Sequence, residues 1–177
     1  MLSGPVLADI GNGLRDPLVD ALNEIAQNYR EGRWEPSELN GGKLCEIVYT
    51  IIRGLANGSY PSKPSKPKNM VQACKDMESA GKAHPRSIRI QIPRMLVALH
   101  EIRNNRGVSH AGGDLDANHM DAMVVLFMAK WVVAEPVRVY HGLDTAEAQN
   151  VVDSLVQKEI PVIWSVAGKQ RVLDPRS

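Results

Sequence analysis

"IPRMLVALHEIRNNRGVSHAGGDLDANHMDAMVV" spans Ile92–Val125. Its first half has helical spacing. Leu96 and Leu99 start an apolar stripe, and Arg103, Arg106 and His110 continue it four, seven and eleven positions past Leu99. Seven residues turn an α-helix by about 700°, so Arg103 and His110 fall within roughly 20° of each other if the helix persists. Gly107 interrupts the last turn, but the direction of approach survives. The polar groups therefore lie on the packing seam rather than on the solvated face. A cation on a seam requires a partner or a cleft. Asp114, Asp116 or a bound phosphate would supply it. A plain helix end is the other reading: basic side chains suit the last carbonyls, and Asn104, Asn105 and Gly107 are ordinary terminators. On these residues alone the two readings stand level.

Working outward, Asn118 and Asp121 read as a cap and its N3 partner, opening a long apolar helix to about His141, with a kink at Pro136. Upstream, "SIRIQI" alternates like a strand but runs at once into Pro93, so the helix is expected from Pro93 to Arg106. Leu14, Leu18, Leu22, Ile25 and Tyr29 recur at helical spacing. Asp16 as cap and Pro17 at the first position place that helix at about 17–30. Leu44, Ile47, Val48, Ile51 and Leu55 form another stripe, ended by Gly58. The Gly41-Gly42 pair either weakens its start or marks close helix packing. "SYPSKPSKPK" (59–68) reads as an extended, exposed linker. Asn69 with Gln72 caps a short helix, and Asp144 with Glu147 caps the last one. The tail "PVIWSVAGKQRVL" alternates as a β-hairpin. The expectation is an all-α bundle over 1–158 and a short C-terminal β-hairpin over 159–177, which is also readable as the start of a further domain.

Composition narrows the class. Two cysteines, Cys45 and Cys74, without a C-x-x-C, fit reduced thiols in a cytoplasmic protein. The N-terminus lacks the basic and apolar regions of a signal peptide. The most apolar window, Met123–Val137, carries Lys130 and Glu135 and is too short to span a bilayer, so no membrane partner is expected. The net charge of +1 gives no global pull on nucleic acid, but its distribution is uneven. Lys82–His110 holds six cations against one acid, whereas Ala111–Ile160 holds three cations against eight acids. A basic face attracts phosphate, and a solvated face paired with acidic neighbours accounts for the same pattern.

Arg103-Asn104, five further residues and His110 match the Arg-x(4–6)-His motif of the HEPN superfamily. The wider stretch Ile92–Val125, together with "ELNGGKLCEIVYTIIRG" (38–54), resembles the carboxy-terminal domain of bacterial abortive-infection proteins, a branch of that superfamily. The likeness covers most of residues 14–158. Arg94 and His100 also satisfy the bare motif, but on a continuous helix they lie roughly 120° apart. The surrounding string therefore carries the resemblance.

The resemblance implies a HEPN-like helical bundle that forms a homodimer with a composite site, and a metal-independent endoribonuclease that needs no cofactor. Its setting would be an effector or toxin of bacterial phage defence, with RNA as substrate and an antitoxin or regulatory partner. The chemistry suits the residue types. The ribose 2′-OH attacks the adjacent phosphorus, so a base takes its proton and an acid protonates the leaving 5′-oxygen. His110 titrates near neutrality and fits either role, Arg103 offers a planar fork of donors to the phosphorane, and Asn104 orients the histidine or the phosphate. Arg106 and Ser109 are candidates for substrate contact, with a helix cap and a turn hydroxyl as their plainer readings. The alternative is an inactive HEPN module used for dimerisation or for sensing nucleotide or RNA. A third reading lets His110, Asp114, Asp116 and His119 hold a divalent ion, but their spacing matches no helical pair or zinc knuckle, so no metal is assigned.

Overall fold

The computed structural model describes residues 7, 10–79, 83–105, 115–156, 163–166 and 169–172. The first helix, α1, spans Asn12–Arg30. It starts five residues earlier than the proline signal predicts, with Pro17 inside it. Leu14 heads the buried stripe and has no exposed surface, so the helix gains a core contact from that extra turn. Near its start Pro17 removes only one backbone bond.

Helix α2 spans Trp34–Asn57 and stops at Gly58, whose φ of 69° is the left-handed geometry that closes a helix. It is the central element, packed on α1, on α4 (Ile92–Asn105) and on α5 (His119–His141). The Gly41-Gly42 pair makes that possible. A β-carbon on Gly41 would lie 2.9 Å from Val125 Cγ1 of α5, and one on Gly42 would lie 2.9 Å from Arg103 Nε of α4. The pair lies inside the helix and marks close packing against two neighbours.

After Gly58 the chain turns back along α2 instead of leaving it. Ser65 donates its backbone N–H to Thr50 Oγ1 at 3.0 Å, and Lys66 pairs with Glu46 at 3.8 Å. The segment 59–68 forms neither helix nor strand, and it is docked against the bundle rather than free. Asn69 then caps α3 (Met70–Glu78), its side chain accepting from the Gln72 N–H at 2.9 Å.

The ambiguous "SIRIQ" is a π-helical turn, Ser87–Gln91, running straight into α4. Ile92 donates to Ser87 five residues back. Pro93, which follows, has no N–H to close on Arg89, and the wider turn accommodates it. Helix α5 starts at the Asn118 cap, continues through Pro136 and ends at Gly142. Asp144 and Glu147 exchange backbone-to-carboxylate bonds of 2.9 and 2.8 Å, a reciprocal cap that opens α6 (Thr145–Val156). Two strands, β1 (Ile163–Val166) and β2 (Lys169–Val172), pair antiparallel, with Ile163 opposite Val172. The bundle itself is all-helical, and Leu22, Ile25, Leu44, Ile52, Leu96, Leu99, Val125 and Val132 are sealed at its centre.

Candidate functional site

The carboxy-terminal end of α4 carries the candidate residues that fall within the described structure. Leu96 and Leu99 are wholly buried, and one turn further the same face turns polar. Arg103 is half-buried, and its aliphatic stem lies across the backbone of Gly42. No side chain larger than hydrogen fits beneath it without displacing it. Its guanidinium donates from Nη1 to Asn104 Oδ1 at 3.0 Å. Among the described residues, no carboxylate pairs with Arg103. A seam arginine held by a neutral amide keeps its positive charge available.

Asn104 faces a second partner. Its Nδ2 lies 2.9 Å from Nδ1 and 3.1 Å from Nε2 of His100, one turn back on α4. Burial holds His100 below its ordinary pKa; Arg103 and Lys66 push the same way, and Glu101 and Glu46 oppose them. The imidazole is therefore neutral near pH 7 and accepts from the amide. Arg103, Asn104 and His100 form one chain of contacts. His100 was no sequence candidate for this role, although its position four residues before Asn104 already put the two on one face. Arg94, the other arginine of the accidental motif match, is bound to Glu78 on α3 by two bonds of 3.0 and 2.8 Å and takes no part.

Arg106, Ser109, His110 and Asp114 lie outside the described residues. Of the rival metal set, Asp116 is exposed, and His119 stands in an aromatic cluster. Tyr29 Oη is 3.0 Å from His119 Nε2, and the Trp34 ring is 5.1 Å from the imidazole, centroid to centroid. Among the described residues, no group of three His, Cys, Asp or Glu is placed to hold a metal ion.

Two further residues bind the site to the fold. Glu38 on α2 has no exposed surface, and its Oε1 accepts the Asn118 N–H at 3.2 Å. That bond fixes the start of α5 to α2 one turn before Gly42. Cys45 is buried on the same helix and donates from Sγ to the Leu96 carbonyl at 3.5 Å. Burial pushes its thiol far above the ordinary value, with Cys74 and Glu46 adding to the effect and Arg103 opposing it.

A second feature is the outer face of α5. Met120, Met123, Val124, Phe127 and Trp131 recur at helical spacing and are all exposed, Phe127 by 63% and Met120 by 55%. The stripe starts at the helix end nearest Arg103 and leads into a groove of about 280 Å³ between α5 and α6, floored by Phe127, Trp131, Ala148 and Val152. Among the described residues, no helix is long and apolar enough to cross a membrane. Compared with family models, with curated proteins and with solved structures, the chain matches none.

Proposed function

We infer that the protein is a metal-independent endoribonuclease of HEPN type. One observation carries the reading: a half-buried arginine on the α2–α4 seam, laid over a glycine, bound to an asparagine amide and, among the described residues, opposed by no carboxylate. That arrangement suits an anion whose charge grows during reaction. In the proposed step the 2′-oxygen forms a bond to phosphorus as the P–O5′ bond breaks. A base takes the 2′-OH proton, and an acid supplies one to the departing 5′-oxygen. The products are a 2′,3′-cyclic phosphate and a free 5′-hydroxyl. Arg103 faces the phosphorane, His110 serves as base or acid, Asn104 holds Arg103 in place, and Arg106 and Ser109 contact the substrate.

A second copy of the chain is proposed to complete the site. The exposed stripe on α5 supports this. Its side chains offer on the order of 500 Å² of apolar surface, at the upper end of what monomers leave uncovered. A standard interface takes about 800 Å² per partner, with a mostly apolar centre. Packing on this stripe, which starts at the Arg103 end of the bundle, would bring two motifs towards one cleft. The proposed setting, an effector in bacterial phage defence restrained by an antitoxin or regulatory partner, rests on the likeness of residues 38–54 and 92–125 to abortive-infection domains.

The test is incubation of the purified protein with mixed RNA in EDTA, beside Arg103→Ala and His110→Ala, with analysis of the fragment ends. Cyclic-phosphate ends that fall by about 10²–10³-fold in both variants are expected. Intact RNA with a folded, dimeric wild type would favour a binding or sensing module instead.

A further inference from the structure

Thr50, Arg53, Gly54, Asn57, Ser59, Tyr60, Pro61 and Ser65 enclose a polar groove of about 300 Å³ between α2 and the docked segment 59–68. We propose that this groove holds the single-stranded RNA substrate on one side of the cleavage point, with Arg53 on a backbone phosphate and Tyr60 as the wall against which a base lies. The proposal rests on the RNA reading above and extends it to a strand path.

Polar groups lead from Arg103 towards the groove, by hydrogen bonds as far as His100 and from there by the charges of Lys66 and Glu46. Arg103 reaches Asn104, and Asn104 reaches His100. His100 lies in the field of Lys66 and Glu46, which pair at 3.8 Å. One turn along α2, Thr50 Oγ1 donates to the Glu46 carbonyl at 2.7 Å and accepts from the Ser65 N–H at 3.0 Å, at the edge of the groove. Gly42, Glu46, Thr50, Arg53 and Asn57 follow one another at helical spacing, so the line runs along a single face of α2. From Gly42 to Arg53 it covers about 17 Å, a few nucleotides of extended strand.

The chemistry of the groove fits a nucleotide strand. Arg53 is exposed, and among the described residues no carboxylate pairs with it. Lys63 and Lys68, on the same segment as the groove residues Tyr60, Pro61 and Ser65, are exposed and add positive charge to it. The Tyr60 ring approaches Gly54, where a β-carbon would stand 2.5 Å from Cδ1 and 3.1 Å from Cε1, so the glycine lets the ring come close against the helix. An aromatic wall, a free guanidinium and side-chain amide and hydroxyl groups are the means by which proteins hold single strands without reading their sequence.

The test is fluorescence anisotropy of a short, fluorescein-labelled single-stranded RNA with the full chain carrying His110→Ala, which keeps the probe intact. Adding Arg53→Ala is expected to weaken binding about tenfold and to make its salt dependence shallower by about one counterion. Arg53→Lys should restore part of both. Lys43→Ala, which removes an exposed cation paired with Glu24, should change neither. Equal affinity and equal salt dependence with and without Arg53 would overturn the groove, as would an RNA that fails to bind at all. Arg53-dependent binding by a wild type that leaves RNA uncut would uphold the groove and overturn the nuclease reading.

Discussion

Glu38 is a carboxylate with no exposed surface in the middle of a helical seam. Removing it deprives the Asn118 N–H of its acceptor at the point where α5 begins. Glu38→Ala is expected to lower stability by about 1–3 kcal/mol, read as an earlier midpoint in urea unfolding. His100 gives the pH counterpart. Its folded pKa lies below its unfolded value, chiefly through burial, so the unfolded chain binds the proton more readily. The stability it contributes is present above the unfolded value of about 6.5 and drains away as pH falls towards the folded value. Wild type should therefore lose stability below pH 6.5 more steeply than His100→Asn; parallel unfolding curves across that range would discount the effect. Relief of the nearby guanidinium in Arg103→Ala should flatten the same slope.

Between elements, the two adjacent glycines of α2 behave differently because their neighbours do. A methyl group at Gly41 meets Val125 Cγ1 at 2.9 Å, on a stiff β-branched side chain sealed in the core. Gly41→Ala should cost about 1–3 kcal/mol. At Gly42 the obstacle is the flexible stem of Arg103, which swings aside. Gly42→Ala should keep or raise stability, since alanine favours helix by about 1 kcal/mol, yet abolish RNA cleavage by moving the guanidinium. Thermal melts and cleavage assays on the two variants separate these outcomes. The same contrast explains what the sequence disclosed. The α5 and α6 caps and the apolar stripes are local signals, and they stand where periodicity puts them. The π turn before Pro93 is an accommodation between backbone groups, and alternation in "SIRIQI" disguised it. The docking of 59–68 depends on Thr50, whose hydroxyl carries no mark in the sequence of the contact it makes. Arg103 and Asn104 were legible because they sit within one polar run. Gly42 and Glu38, far away in the chain, acquire their meaning only when α2 is laid against α4 and α5.

For the molecule as a whole, the exposed stripe on α5 sets the expected dependence on concentration. Phe127→Glu places a charge at the centre of the proposed seam, while the residue's 63% exposure leaves the fold intact. Sedimentation should then show a monomer where wild type is a dimer, with cleavage lost in step; a wild type that stays monomeric at all concentrations would remove the composite site. The buried thiols offer a different view of the bundle. Cys45 is tied to Leu96 across the seam that supports Arg103, and Cys74, its thiol pushed up to about 11 by burial, lies on α3. Neither reacts with a water-borne disulfide reagent while the helices are closed. The rate at which each is labelled in native buffer is thus a clock for the parting of its own seam. An RNA strand that grips both α2 and α4 would slow the Cys45 clock more than that of Cys74, so the chain already contains a reporter for how tightly its substrate locks the bundle.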